Sequence, residues 1–240
     1  MRLPYPRKCA APATGCDHAA WPSTGHGDAE PWGGLPANTG VDVSKEMLAV
    51  ARAKVGDAAN PRFVLGDMRT FELGDSFDLA LIPAHSFQFM TNADDQVAAL
   101  RPSPEHLVSG GRLVVHVNHD SLADLAQMDG TERMDDPITE LATGRRYRPS
   151  YAWTYDHAYQ NATVHMAWYE LSDEEAVVQR WDLDPMVLHV ITAVEMEHTL
   201  HRAGFESTTV IGAFDGSPFS TDSPDMIWSA RSAPYATETR

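Results

Sequence analysis

Residues 39–69 read TGVDVSKEMLAVARAKVGDAANPRFVLGDMR, and this stretch decides the fold class. Its pattern predicts a strand, an amphipathic helix and a second strand, over Thr39–Val43, Lys45–Val55 and Arg62–Leu65. Asp42 and Asp67 then lie at the carboxyl ends of neighbouring strands. In an open α/β sheet, these ends form the edge at which a nucleoside binds.

The same alternation of apolar strands and helices continues along the chain. Phe77–Pro83 is apolar except for Asp78, a pattern that predicts a central strand buried on both faces. A proline-interrupted helix (Asn92–Val108) follows, then a glycine turn (Ser109–Gly111) and a strand (Arg112–Val117). Later in the chain, a helix closed by Gly204 (Ala193–Ala203) precedes two final strands (Thr208–Ile211 and Met226–Ala230). We therefore predict a doubly wound, mostly parallel α/β sheet of Rossmann-like type with an antiparallel pair at its edge.

The pattern changes within residues 145–186, which are rich in aromatic and β-branched side chains. Three segments separated by turn residues predict a three-stranded antiparallel sheet, over Arg145–Tyr155, Thr163–Leu171 and Ala176–Leu183. We expect this sheet to form a lid, so that the chain divides into 39–144, the lid 145–186, and 187–240.

Residues 1–38 have a different composition from the rest of the chain. From Pro4 to Asn38 there is no Val, Ile or Phe, and Leu35 is the only aliphatic side chain larger than Ala. Pro and Gly recur throughout this segment. Because a buried parallel strand needs a run of branched apolar residues, we expect an irregular segment here.

Charge and composition exclude several classes of protein. The formal net charge is −16, from 34 acidic and 18 basic side chains, and such a surface repels nucleic acid and anionic lipid. No apolar run is long enough to cross a bilayer, and no secretory signal is evident, so we expect a cytoplasmic protein. Cys9 and Cys16, the only cysteines, are too few to predict a disulfide framework or a metal site.

Five stretches together carry a family resemblance. They are GVDVSKEML (40–48), GDMR (66–69), LIPAHSFQ (81–88), SGGRLVVHV (109–117) and AGFESTTVIGAFDGSPFSTDSPDMIWSAR (203–231). In this order and spacing the chain resembles the class I S-adenosylmethionine (SAM)-dependent methyltransferases. The last stretch is similar to the terminal hairpin of one subgroup, small bacterial methyltransferases with an antiparallel lid, which includes enzymes that methylate amino sugars and other small metabolites.

The resemblance implies SAM as the cofactor and a set of residues that contact it. Asp42 would accept hydrogen bonds from both ribose hydroxyls and Asp67 from the exocyclic amine of adenine, and such charge-assisted bonds contribute about 1.5–3 kcal/mol each. Val43 and Met68 would flank the adenine ring, and Pro83 would border the cofactor.

The same resemblance implies methyl transfer to a nitrogen or oxygen atom of a small-molecule substrate. His85 follows a strand end beside the expected transfer site and would act as general base. The substrate-binding residues would be Gln88, Asn118, His119, Trp153 and Trp168. No metal site is expected. One face of the lid would cover the pocket or a partner subunit, which leaves a homodimer open.

The chain departs from the family at its most typical motif. A Glu or Asp followed by a glycine-rich turn (E/D-x-G-x-G-x-G) should precede Asp42, and nothing before Asp42 supplies it. Either residues 1–38 come from a misread or frameshifted start, which the abrupt change of composition near Gly40 favours, or the protein has diverged and lost normal cofactor binding. In the second case it would be a non-catalytic methyltransferase-fold protein, repurposed to bind a ligand or partner.

Each candidate residue also has a simpler structural explanation. A strand-end Asp is often only a polar terminus, and His85 could be an ordinary surface histidine. His116, within an apolar strand, is expected to be a core histidine whose hydrogen bonds are satisfied. Asn118 and His119 would equally suit a turn, and most lid aromatics would belong to a core.

Overall fold

The computed structural model describes residues 39–55, 61–141 and 143–232. These residues divide into two compact units. An α/β unit contains 39–119 and 191–232, and an antiparallel unit contains Asp120–Val190. The predictions for residues 1–38, including the irregular segment and both cysteines, lie outside the described residues.

Helices and strands alternate in the α/β unit. Its helices are α1 (Lys45–Val55), α2 (Ala93–Leu100), α3 (Pro102–His106) and α5 (Ala193–Arg202), with a 3₁₀ turn at Ser86–Phe89. Its strands are β1 (Thr39–Asp42), β2 (Arg62–Leu65), β3 (Phe77–Ile82), β4 (Leu107–Asn118), β11 (Phe205–Ile211) and β12 (Asp225–Ser232).

The first βαβ unit forms as the sequence predicts. β1 and β2 pair in parallel, with Asp42 opposite Leu65, so that Asp42 and Asp67 follow neighbouring strand ends. Helix α1 connects the two strands, and the Ser44 hydroxyl caps it by accepting a hydrogen bond from the Met47 amide at 3.1 Å. Leu48 and Ala51 form its buried face.

A second sheet of four strands has the order β11-β12-β4-β3. β3 and β4 are parallel, whereas β12 is antiparallel to both of its neighbours and β11 lies at the edge. The predicted antiparallel pair is therefore confirmed.

The expected central position of Phe77–Pro83 is wrong for the described residues. β3 pairs only with β4 among them, so it lies at the edge of the four-stranded sheet, and β1 likewise pairs only with β2. Leu79 is 46% exposed, although an apolar strand with a neighbour on each side would be covered. The apolar pattern of β3 correctly indicates a strand but does not specify its neighbours.

One core cluster lies on a single face of this sheet. Leu113, Val115 and Val117 alternate along β4 and point into it, together with Met226 and Trp228 of β12. Leu100 of α2 and Leu200 of α5 are completely buried in the same cluster. The even-numbered residues of β4, including His116, lie on the opposite face because successive side chains alternate.

Prolines and glycines adjust two of the predicted elements. The helix expected over Asn92–Val108 breaks into α2 and α3 before Pro102, and Asn92 caps α2 by accepting from the Asp95 amide. The glycine turn expected at Ser109–Gly111 is instead part of β4, where the register with β3 shifts between Leu107 and Arg112. Gly110 has φ 77°, so the segment bulges rather than reversing the chain.

The antiparallel unit contains a larger sheet than predicted. β7 (Arg146–Asp156) and β8 (Asn161–Leu171) form a long central hairpin. β5 (Arg133–Met134) and β6 (Ile138–Thr139) pair with β7, whereas β9 (Val177–Asp182) and β10 (Met186–His189) pair with β8. The sheet therefore has six strands instead of three, because short segments on both sides satisfy the outer edges of the hairpin. Helix α4 (Leu122–Ala126) precedes the sheet and starts with a capping box at Ser121.

The described residues contain no helix that is both long and apolar enough to span a bilayer.

Candidate active site

Asp42 is the most buried of the predicted cofactor residues. Its side chain is 2% exposed at the end of β1, and Oδ1 accepts a hydrogen bond from the Ser44 amide at 2.7 Å. This bond orients the carboxylate where the chain turns into α1. Val43, the next residue, is 62% exposed and so presents an apolar surface beside it.

Asp67 follows β2 and is held by an arginine. Arg69 donates from its backbone amide to Oδ1 at 2.9 Å and from its guanidinium to both oxygens, at 2.6 Å from Nη2 to Oδ2. The same guanidinium reaches Asp95 of α2 at 3.0 Å. The Arg69 hydrogen bond lowers the pKa of Asp67, so this group is an ionised acceptor at neutral pH. An adenine amine would have to share this carboxylate with Arg69.

Met68 and Pro83 have structural roles in the same unit. Met68 is partly buried against the main core cluster. The Pro83 carbonyl accepts from the Ser86 amide at 3.2 Å and from the Ser86 hydroxyl at 2.9 Å, which starts the 3₁₀ turn.

His85 lies at a backbone position that non-glycine residues rarely adopt. Ala84 and His85 have φ of 53° and 60°, both in the left-handed region. Such residues cost roughly 1–3 kcal/mol each and persist where the surrounding structure holds them. The 3₁₀ turn that follows is anchored by Gln88, whose Oε1 accepts from the Asn118 amide at 2.9 Å.

The His85 imidazole meets two side chains that come from distant parts of the chain. Its Nε2 lies 3.1 Å from Nε2 of His116, which lies 2.8 Å from Oδ1 of Asp225. His85 Nε2 and Asp225 Oδ1 are 3.7 Å apart. The His116 side chain is 13% exposed and its Nε2 contacts His85 and Asp225, but it lies on the sheet face away from the main core cluster. The prediction of a core histidine is therefore only partly right.

Sequence reasoning missed Asp225 and the role of His116. A signal for His116 was present, since it is a polar residue at an even position in a strand whose odd positions are apolar. Asp225 starts β12, which pairs with β4 and places Asp225 opposite Asn118. Only this pairing brings residue 225 to residue 116.

The predicted substrate residues are divided between the two compact units. Gln88 is 2% exposed and bonded to the β4 backbone, so it supports the fold. His119 donates from Nδ1 to the Ser223 carbonyl at 2.9 Å, and its ring contacts the Phe219 ring. Trp153 and Trp168 belong to the antiparallel unit, where Trp153 packs against a cluster around Leu125 and Trp168 is 9% exposed.

Comparison with known proteins agrees with this fold. The family described as "Methyltransferase domain" matches residues 32–111, which include β1, α1, β2, β3 and the first part of β4. No curated protein matched the chain in a sequence search.

Solved structures match over most of the chain. An S-adenosylmethionine-dependent methyltransferase from Clostridium acetobutylicum has a TM-score of 0.67 and 15% identity, over 82% of this chain and 76% of that one. The SAM-bound amino pentose methyltransferase CalS10 from Micromonospora echinaspora has a TM-score of 0.64 and 22% identity, over 82% and 75%. The sugar N-methyltransferase KedS8 from a Streptoalloteichus species has a TM-score of 0.64 and 19% identity, over 81% and 70%.

These structural likenesses establish the fold, and the family match covers residues 32–111, a third of the chain. The resemblance predicted from the sequence is thereby confirmed: residues 32–111 match the methyltransferase-domain family, and the chain has the Rossmann-like α/β fold of solved SAM-dependent methyltransferases.

Proposed function

We propose that this protein transfers a methyl group from SAM to a nitrogen or oxygen atom of a small-molecule metabolite. The observation that carries the proposal is the buried carboxylate of Asp42 at the carboxyl end of β1, with Asp67 at the neighbouring strand end. This arrangement suits the two hydroxyls and the amine of a nucleoside. The strongly acidic chain favours such an acceptor over nucleic acid.

The described residues fit the adenosine half of the cofactor. Asp42 supplies an oriented acceptor for the ribose, Val43 an exposed apolar surface for the adenine, and Asp67 an ionised acceptor that Arg69 holds in place. When bound, SAM supplies the electrophilic methyl group.

The chain's own task is alignment and proton removal. Holding donor and acceptor in line can contribute about 7–11 kcal/mol to the lowering of the barrier. A base is required only when the acceptor arrives protonated, and His85 is our candidate for it, at the carboxyl end of β3. An antiparallel lid that excludes water and sets specificity remains part of the proposal.

The acceptor we propose to test first is an amino sugar. Two of the solved structures with this fold are described as an amino pentose methyltransferase and a sugar N-methyltransferase. An amine acceptor also gives His85 a task, since an ammonium group must lose a proton before its lone pair can react.

Calorimetry with S-adenosylhomocysteine tests the cofactor site. We expect Asp42→Ala to weaken binding by about 2–3 kcal/mol, the scale of lost charge-assisted hydrogen bonds. The matched control is Ser44→Ala, which removes the cap on the Met47 amide but keeps the Asp42 carboxylate. It should lower stability by about 1 kcal/mol and leave affinity unchanged.

His85→Ala should keep cofactor affinity and slow methyl transfer to an amino sugar, measured as S-adenosylhomocysteine formed. If the parent protein fails to bind S-adenosylhomocysteine, the proposed function is wrong and a non-catalytic methyltransferase-fold protein is what remains.

A further inference from the structure

We infer that His85, His116 and Asp225 form a binding site for a divalent transition-metal ion of the zinc type. Among the residues that the structure describes, they are the one group of three metal-ligating side chains whose donor atoms converge. Two imidazoles and a carboxylate are a ligand set that zinc and related ions accept.

The distances between the three donor atoms suit coordination of one ion. They are 2.8, 3.1 and 3.7 Å. Bonds of about 2.0–2.2 Å to zinc place neighbouring ligand atoms about 2.8–3.1 Å apart in octahedral geometry and about 3.3–3.6 Å apart in tetrahedral geometry. The observed values bracket these ranges, so shifts of a few tenths of an ångström would complete the site.

Hydrogen bonding alone explains the cluster poorly. The same atom of His116, Nε2, contacts both His85 Nε2 and Asp225 Oδ1. If that nitrogen carries a hydrogen, one N–H is divided between two acceptors. If it carries a lone pair, the lone pair faces a carboxylate oxygen at 2.8 Å. A cation between the three atoms would accept a lone pair from each of them.

The three ligands are held before any ion binds. His116 and Asp225 are on neighbouring strands, with the ladder between β4 and β12 setting their separation. His85 is positioned by the left-handed backbone at Ala84 and His85. The strain stored there needs a reason, and holding a ligand over the sheet is one.

The surroundings also suit an ion. The His85 and Asp225 side chains are 33% and 21% exposed, which leaves an open side for water or another ligand. The Phe214 ring lies nearly perpendicular to the His116 ring, 4.9 Å between ring centres, and forms an apolar wall. The net charge of −16 raises the local concentration of cations.

Metal binding uses neutral imidazoles and an ionised carboxylate, so each histidine keeps its hydrogen on Nδ1 and no covalent bond is broken. An ion takes the same His85 lone pair that the proposed base role requires. The metal-bound form and the form with His85 as base are therefore alternatives.

Titration of the full-length, metal-free protein with ZnCl₂ in a calorimeter tests the inference, without cofactor or substrate. We expect one high-affinity site, and His85→Ala, His116→Ala and Asp225→Asn should each weaken it by at least about tenfold. His198→Ala is the matched control, because it removes an exposed imidazole from α5 in the same unit and should leave the affinity unchanged. The visible absorption of bound Co²⁺ gives a second readout of imidazole ligation.

The inference is wrong if the parent protein binds no zinc, or if the variants at His85, His116 and Asp225 bind zinc as tightly as the parent does. Thermal unfolding of each variant is the control for folding. A variant whose melting temperature is unchanged is folded, so its weaker zinc binding is due to the lost ligand. The zinc titration requires no cofactor, so its result does not depend on the proposed methyl transfer. A protein that transfers no methyl group would still bind zinc if this inference is right.

Discussion

At the scale of single residues, Arg69 organises the acidic strand end. It bridges Asp67 of the loop after β2 and Asp95 of α2, and its hydrogen bonds lower the pKa of both carboxyls. Because the folded-state pKa of each lies below the unfolded value of about 3.9, each pair stabilises the fold above about pH 4. This stability is lost as the pH falls through the folded-state values.

Arg69→Met should therefore change how stability depends on pH. We expect the variant to be less stable than the parent at pH 7 and to lose less stability between about pH 5 and pH 2, because Asp67 and Asp95 return toward their ordinary pKa. Urea unfolding across this range measures the effect. Arg62→Met, which removes the exposed pair with Asp75, is the control and should change little. Parallel curves for Arg69→Met and the parent would contradict the prediction.

At the scale of elements, the bulge in β4 depends on two glycines. Gly110 has φ 77°, and a Cβ added at Gly111 would lie 2.8 Å from the Val108 carbonyl oxygen and 3.1 Å from Leu107 Cβ. The backbone atom cannot move aside without disturbing the strand. The bulge is what allows Leu107 to pair with Phe77 while Arg112 pairs with Leu79.

Gly111→Ala should destabilise the protein by about 1–3 kcal/mol, the scale of overpacking in a rigid site. Gly74→Ala is the control, since a Cβ there meets nothing within 4 Å, and it should change stability by less than about 0.5 kcal/mol. Chemical denaturation of both variants measures the difference. Equal effects would show that crowding at Gly111 does not matter.

At the scale of the whole molecule, the net charge of −16 acts against compactness. Raising NaCl from about 10 mM to about 150 mM shortens the screening length from about 30 Å to about 8 Å. We expect the melting temperature to rise over this range, because salt weakens the self-repulsion of the net charge more than it weakens exposed ion pairs, which contribute little.

The control for this prediction reduces the charge directly. Replacing the exposed Glu206 and Asp222 with lysine changes the net charge from −16 to −12, since each substitution adds two positive units. Its melting temperature should rise less with salt than that of the parent. A parent protein that salt leaves unchanged or destabilises would contradict the prediction, and calorimetric melts at matched pH decide it.

Local patterns in the sequence determined the elements of this protein. α1 and β2 have the predicted bounds, and α5 ends at Arg202 before Gly204, which has φ 99°. Side-chain period, capping and glycine conformation act within a few residues, so the sequence contains enough information to specify them. The neighbouring positions of Asp42 and Asp67 followed from the same βαβ pattern.

Tertiary structure alone decided which elements meet. Among the described strands β3 lies at a sheet edge, because this position depends on which strands pair with it. An apolar run does not specify those strands. His116 and Asp225 are 109 residues apart and meet only because β12 pairs with β4 in one register. Pairing between distant strands is a property of the assembled sheet, since a shift of one residue would turn Asp225 to the other face. The candidate metal site therefore exists only in the folded molecule.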